Sequence, residues 1–277
     1  MRPLKLIRKV LEDARIKRPE RVTTGVDVVG DIAIVKLPEL TSAEKGRLAL
    51  VLANEVKNVK SVYEQLGGIE GEFRLRNLRH LAGEQRTLTT HRENGCLFKV
   101  DVSRCYFSPR LSTERLRIAR QVKANERVLN MFAGVGPFSI PIAKMARAKV
   151  TSCEINGYAC DLHEENNSLN RVQDKIRVIR GDAANLATSM KSKFDRILMP
   201  HPSQTDRFLS KALTLARNGA VIHYYRQVPG IDLKEATASL TDELLSVVPE
   251  GTRIETRRVR EVGPRWLEMA ADLTLPH

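Results

Sequence analysis

The chain of 277 residues is 42% hydrophobic and carries 46 Lys and Arg against 33 Asp and Glu, a formal net charge of +13. That apolar content suffices for one large or two modest cores, and the lack of a long apolar run or an N-terminal apolar h-region argues against a membrane span or a secretion signal. Four cysteines without a CxxC and six histidines without an HExxH point to a reducing cytoplasm and away from a protein-held metal, while the cation excess favours a polyanionic partner, nucleic acid first.

In chain order, Leu4, Ile7, Val10, Leu11 and Ala14 recur at helical spacing, so a short basic amphipathic helix is predicted over 4–17, within an N-terminal extension of residues 1–25 that leans on the next domain. From Val26 the period changes. VDVVGDIAIVKL alternates as strands around a Gly-Asp turn, and TSAEKGRLALVLANEVK reads as a helix capped by Thr41 or Ser42. The Gly-rich segment GGIEGEFRLRNLRHLAGEQRTLTTHRENGCLFKVDV alternates as further strands, which makes residues 26–105 a small α+β domain. Arg74, Arg76, Arg79, Arg86 and Arg92 cluster there with His80 and His91. Alternate strand positions bring several onto one face, the footprint of an RNA surface rather than of mere solubility.

Beyond residue 112 helices and strands take turns: helix STERLRIARQVK, strand RVLNMFA, helix PFSIPIAKMA, strand KVTSCEI, helix GYACDLHEENNSLN and strands IRVIRGD and FDRILMP. Helix QTDRFLSKALTLA, strand GAVIHYYRQ and helix DLKEATASLTDELLSVV follow. TRIETRRVREV and RWLEMAADLTL, joined by Gly263-Pro264, fit an antiparallel hairpin at the sheet edge. Residues 106–277 therefore read as an α/β, Rossmann-like doubly wound sheet that binds ligands at the carboxyl ends of its strands.

The turn NMFAGVGPFSIP, Asn130 to Pro141, has Gly134 and Gly136 but Pro137-Phe138 in place of a third glycine. A pyrophosphate wants that glycine and free helix N–H groups, so a nucleoside with a compact zwitterionic tail fits better than a dinucleotide. Glu154 ends the second strand, placed for both ribose hydroxyls, and Asp182 ends the third, placed for an adenine amino group. The ordered set describes S-adenosylmethionine.

FKVDVSRCYFSPRLSTER, NMFAGVGPFSIP and GEFRLRNLRHLAGEQRTLTTHRENG together resemble the archaeal and eukaryotic tRNA (guanine-37-N1) methyltransferase family, over about residues 26–277. The resemblance implies a class I methyltransferase domain behind a smaller RNA-binding domain. It further implies S-adenosylmethionine as methyl donor, the tRNA anticodon stem-loop as partner, and a monomer with no stable protein partner. By matching motifs it makes Glu114 the general base for the guanine N1 proton and Arg74 the cation for charge developing at O6. Tyr106 and Arg110 shape the cofactor pocket and orient the guanine, and Arg115 contacts the methionine carboxylate. Phe132, Ala133, Val135, Ile155, Ala183 and Pro200 complete the cofactor site around Gly134, Gly136, Glu154 and Asp182.

Blander roles compete: Glu114 also fits a helix capping box, Arg74 a solvated strand charge and Tyr106 a core aromatic. Two positions depart from the family: Asn130 stands where an Asp is usual, and Pro200-His201-Pro202 replaces an Asn-containing motif. Related aminocarboxypropyl transferases of wyosine synthesis, and bifunctional methyltransferases of that pathway, are the rivals. The transferases typically lack the GEFR arginine and the RLSTE glutamate and carry a GIGHLS-like turn, so this chain sides with the methyltransferases. Only about 25 residues precede the match, fewer than the elbow-contacting domain of full-length members, so an anticodon stem-loop is expected to serve nearly as well as whole tRNA.

Overall fold

The computed structural model describes residues 9–17, 25–37, 40–185, 193–202, 205–230, 232–263 and 265–277. Two compact units divide the chain, Met1–Ser112 and Thr113–His277.

In the first unit a helical segment, α1 (9–13), buries Val10 and Leu11, with Ala14 and Ile16 just beyond, in one cluster with Leu48, Leu52 and Val62. Its apolar face thus joins the core of this unit. Residues 4–8 of the predicted helix lie outside the described residues. Strands β1 (Val26–Val29) and β2 (Ile32–Val35) form the expected hairpin, and α2 (Ser42–Glu55) carries the chain to β3 (Ser61–Glu70), parallel to β2. Thr41 caps α2, its side chain accepting from the Glu44 N–H while Glu44 reaches back to the Thr41 N–H, a complete capping box. β4 (Leu75–Gly83) closes the sheet order β1-β2-β3-β4, and β5 (Leu88–Glu93) and β6 (Cys96–Asp101) form a separate antiparallel ribbon.

The second unit is the expected doubly wound sheet, opened by α3 (Ser112–Gln121). Its strands are β7 (Arg127–Asn130), β8 (Lys149–Glu154), β9 (Ile176–Arg180), β10 (Phe194–Met199), β11 (Ala216–Pro229), β12 (Arg253–Gly263) and β13 (Trp266–Thr274), in the order β12-β13-β11-β10-β7-β8-β9. Between them run α4 (Ser139–Met145), α5 (Gly157–Leu169), α6 (Thr205–Leu215) and α7 (Leu233–Leu245). β9, β8, β7, β10 and β11 are mutually parallel, and β13 and β12 add antiparallel strands at one edge. The chain starts the sheet at β7 and winds outward on both sides, so the strand order reverses between β7 and β10. A doubly wound sheet opens its ligand crevice at that point, above the carboxyl ends of the strands. No helix of the described residues is long and apolar enough to cross a membrane.

Candidate active site

The glycine turn leaves the carboxyl end of β7 beside the switch point. Gly134 and Gly136 both hold left-handed backbone, with φ of 53° and 92°. At Gly136 a Cβ would also lie 2.6 Å from the imidazole of His163, so only glycine fits over that ring. His163 itself is fully buried on α5, and burial pushes its pKa down to about 3, which keeps the ring neutral beneath the turn. Asn166, one helical turn on, donates from Nδ2 to the Val135 carbonyl at 3.0 Å. The turn is therefore braced from below by two side chains that the sequence reading missed. Their signal was present: His163, Asn166, Asn167 and Asn170 repeat at helical spacing, and all four are buried.

Asn130, where the family usually has Asp, is wholly buried. Its Nδ2 donates to Ser139 Oγ at 3.0 Å, and its Oδ1 accepts from the Phe132 N–H at 3.2 Å. The amide ties β7 to the start of α4 across the turn. Pro137 precedes α4 rather than opening it, so the first helical N–H that it was expected to remove belongs to Ser139 and later residues.

Glu154 stands at the end of β8 with its carboxylate between two backbone donors, the Gly134 N–H at 2.7 Å and the Asn156 N–H at 2.8 Å. Burial raises its pKa, and these N–H groups oppose the rise. Ile155 next to it is 37% exposed, an apolar side chain left in solvent at a strand end. Asp182 follows β9 and accepts from the Ala184 N–H at 2.6 Å, with Ala183 buried between them. Phe132 packs edge-on to Phe208, centroids 4.8 Å apart, and lies 5.1 Å from the His201 ring, beside half-buried Pro200. Ala133 and Val135 are buried in the turn. A half-buried carboxylate for a ribose diol, an apolar strand end and a second acid for a base make this edge fit a nucleoside.

Glu114 lies on the first turn of α3 and is buried. Its carboxylate does not cap the helix. Arg117 Nη2 donates to Oε1 at 2.7 Å and Arg117 Nε to Oε2 at 3.0 Å, while the Tyr225 hydroxyl donates to Oε1 at 2.8 Å. Arg257 Nη1 stands 3.6 Å from Oε2. Three hydrogen bonds occupy three of the roughly four lone-pair sites of a carboxylate, which leaves one on Oε2. Arg117 also holds Asp272, Nη2 to Oδ1 at 3.1 Å, and His223 Nδ1 lies 2.6 Å from the same oxygen. The other ring nitrogen, Nε2, is 2.7 Å from Arg196 Nη1. Arginine only donates, so Nε2 accepts and the proton sits on Nδ1, facing Asp272. Burial disfavours the Asp272 charge, yet His223 and Arg117 outweigh it and hold its carboxyl well below the usual range. Burial also lowers His223, in keeping with a neutral ring. None of Arg117, Tyr225, His223, Arg257 and Asp272 was foreseen from the sequence.

Arg115, the residue expected at a ligand carboxylate, lies next to Glu114 on α3 and is 1% exposed. In the first unit Arg74 ends a turn closed by its N–H donating to the Gly71 carbonyl at 3.1 Å, with φ of 55°. Its guanidinium lies 4.7 Å from the centroid of the Tyr106 ring, a cation–π contact that joins two of the predicted residues. Arg110 Nε donates to Asp27 at 2.6 Å, so it answers a carboxylate of its own unit.

On the basic strands, Arg76, Arg79 and Arg86 answer carboxylates of the same unit. Arg76 is buried, donating to Asp27 at 2.9 Å and to Gln65 and the Phe107 carbonyl at 3.3 Å, and is no surface phosphate contact. Desolvation makes an unpaired charge too costly there, so Arg76 and Asp27 neutralise each other. Arg79 pairs with buried Glu64, and Arg86 donates to Asp31 at 3.0 Å and to Glu84 at 2.6 Å. Arg92 is exposed, and with Asn58, Thr90, His91 and Lys99 it borders a cleft of about 680 Å³.

Comparison with known proteins fits this arrangement. Residues 89–244 match the TRM5/TYW2 methyltransferase domain and residues 6–87 the TYW2 N-terminal domain, so the match reaches back through α1 rather than starting near residue 26. The chain is 40% identical over 252 residues to the tRNA (guanine(37)-N(1))-methyltransferase Trm5b of Pyrococcus abyssi, covering 90% of this chain and 74% of that one. It is 39% identical over 201 residues to the tRNA(Phe) (4-demethylwyosine(37)-C(7)) aminocarboxypropyltransferase of Pyrococcus horikoshii, covering 73% and 70%. Among solved structures, aTrm5 in complex with tRNALeu superposes with a TM-score of 0.81 at 35% identity, over 98% of this chain and 76% of that chain. A glycine turn, two strand-end acids and a seven-stranded sheet reversed at β7, matched over both units, place the chain in the TRM5/TYW2 methyltransferase family.

Proposed function

We propose that this protein is a tRNA methyltransferase that acts on N1 of guanine 37, beside the anticodon, with S-adenosylmethionine as donor, in the cytoplasm. The observation that carries the reading is Glu114, a buried carboxylate aimed by Arg117 and Tyr225 with one acceptor site left on Oε2. Guanine N1 holds a proton at neutral pH and is a poor nucleophile until it leaves. Glu114 accepts that proton, and Arg117 and Tyr225 fix the carboxylate in the orientation to do so. Arg74, held over the Tyr106 ring, is the cation assigned to charge developing at O6. Glu154 takes the ribose hydroxyls, and Gly134 and Gly136 let the ligand approach the main chain. Bound S-adenosylmethionine supplies an electrophilic methyl group. In the first unit Arg92 and Lys99, at the rim of their cleft, are the cations best placed for the RNA backbone.

Mass spectrometry of digested tRNA after incubation with labelled donor tests the reading. N1-methylguanine at position 37 supports it, and an aminocarboxypropyl product would favour the rival chemistry that the match to a TYW2 N-terminal domain keeps in view. Glu114→Gln is expected to bind donor and tRNA normally while slowing single-turnover methylation by about a hundredfold or more. A wild-type rate in that variant places the base elsewhere.

A further inference from the structure

Trp266 is the only tryptophan of the chain, and at 46% exposure it opens β13 at the tip of the last hairpin. Strand pairing fixes its place relative to Glu114. Across the sheet, Tyr225 on β11, Ala270 on β13 and Arg257 on β12 form one row, and both Tyr225 and Arg257 reach Glu114. The next row of that face is Gln227, Glu268 and Arg260, and the next is Pro229, Trp266 and Gly263. Side chains two apart along a strand share a face, so Trp266 lies on the Glu114 face, four residues or about 13 Å beyond Ala270. The direction runs toward the carboxyl ends of the parallel strands, where the glycine turn lies.

The surroundings are cationic and firmly held. Arg253 to Arg265 contain five arginines and two glutamates. Arg260 Nε donates to buried Glu268 at 2.7 Å, and the Gly230 N–H donates to the Arg265 carbonyl at 3.1 Å, which ties the tip to the end of β11. Arg265, next to Trp266, is exposed, whereas Arg258, which pairs with solvent-exposed Glu261 at 3.3 Å, stands opposite Met269 and so on the other face. An exposed indole set among arginines, on the face of the proposed base, suits a π-face partner with a polyanionic backbone.

We propose that Trp266 is a stacking platform for an unpaired RNA base near the target guanine, with Arg265 on its backbone. The proposal rests on the reading of Glu114 as the base that acts on a tRNA nucleotide. About 13 Å along β13 separates the row that reaches Glu114 from the indole, a span that a few nucleotides of RNA cover, so the base held is a near neighbour of the target. Stacking on an indole accepts any base, and arginine contacts add affinity without sequence preference.

The single tryptophan makes the test direct. Emission of the wild-type protein is followed during titration with an anticodon stem-loop RNA and, separately, with a blunt RNA duplex of equal length. Saturating quenching by the stem-loop, with little response to the duplex, supports the platform; unchanged emission at saturation, or an equal response to both RNAs, overturns it. Trp266→Ala is expected to weaken stem-loop binding by about tenfold, with donor binding and duplex binding unchanged, and Trp266→Phe to restore most of the loss. A variant that binds the stem-loop as tightly as the wild type overturns the proposal. If the wild type quenches on the stem-loop yet yields no N1-methylguanine, the platform stands and the reading of Glu114 falls.

Discussion

Two arginine-rich stretches, residues 74–92 in the first unit and 253–265 in the second, put their cations to different uses. In the first, Arg76, Arg79 and Arg86 answer Asp27, Glu64 and Asp31, carboxylates contributed by other strands or turns, and Asp27 and Glu64 are buried. In the second, Arg253 and Arg258 answer Glu255 and Glu261, exposed neighbours on the same strand, while Arg257 leans on Glu114. The composition of the two stretches is alike. The difference teaches that burial of the partner, and not the number of arginines, separates a cation that holds a fold from one that is available to RNA.

The largest effect that sharpens this contrast is expected at the buried pair. Arg76→Ala leaves buried Asp27 to half-exposed Arg110 alone and strips Gln65 and the Phe107 carbonyl of a donor, so it should cost about 3 kcal/mol in denaturant unfolding. A loss under about 1 kcal/mol would erase the distinction between the stretches. The same pair makes a pH prediction. Burial raises the Asp27 pKa, but Arg76 and Arg110 overcome it and hold the carboxyl below its ordinary value. A depressed folded pKa gives stability that is full above the unfolded value of about 3.9 and lost as pH falls through the folded one. Thermal melts should therefore show the wild type losing stability below about pH 4, with Asp27→Asn flatter over the same range.

Arg79→Ala is expected to cost less, about 1 kcal/mol, because Lys45 remains on Glu64 at 2.7 Å. Smallest in stability is Arg258→Ala, within about 0.5 kcal/mol of the wild type by thermal melting. An Arg265→Ala variant, beside Trp266, should instead show its effect in RNA binding, as a salt dependence shallower by about one counterion. If Arg258→Ala destabilises as Arg76→Ala does, the two stretches are structurally equivalent after all.

Sequence alone determined whatever is written within a few residues. The helix start at Thr41 or Ser42, the strand alternation around Gly30 and the turn at Gly134 and Gly136 were legible because caps, strand period and backbone freedom are local properties. The βαβ order likewise announced a doubly wound sheet. Motif likeness added Arg74 and Glu114 but not what surrounds them. Only the tertiary structure decided that Arg76 is interior, since its partner Asp27 lies 49 residues away, on a strand at the opposite edge of the sheet. It also decided the setting of Glu114, where Tyr225 comes from 111 residues downstream and Arg117 finds Asp272 across 155. Such pairings depend on strand order and register, which place distant carboxylates and guanidinium groups side by side. Once water is excluded, an unpaired charge is too costly to keep, so the fold, and not the local pattern, selects each partner.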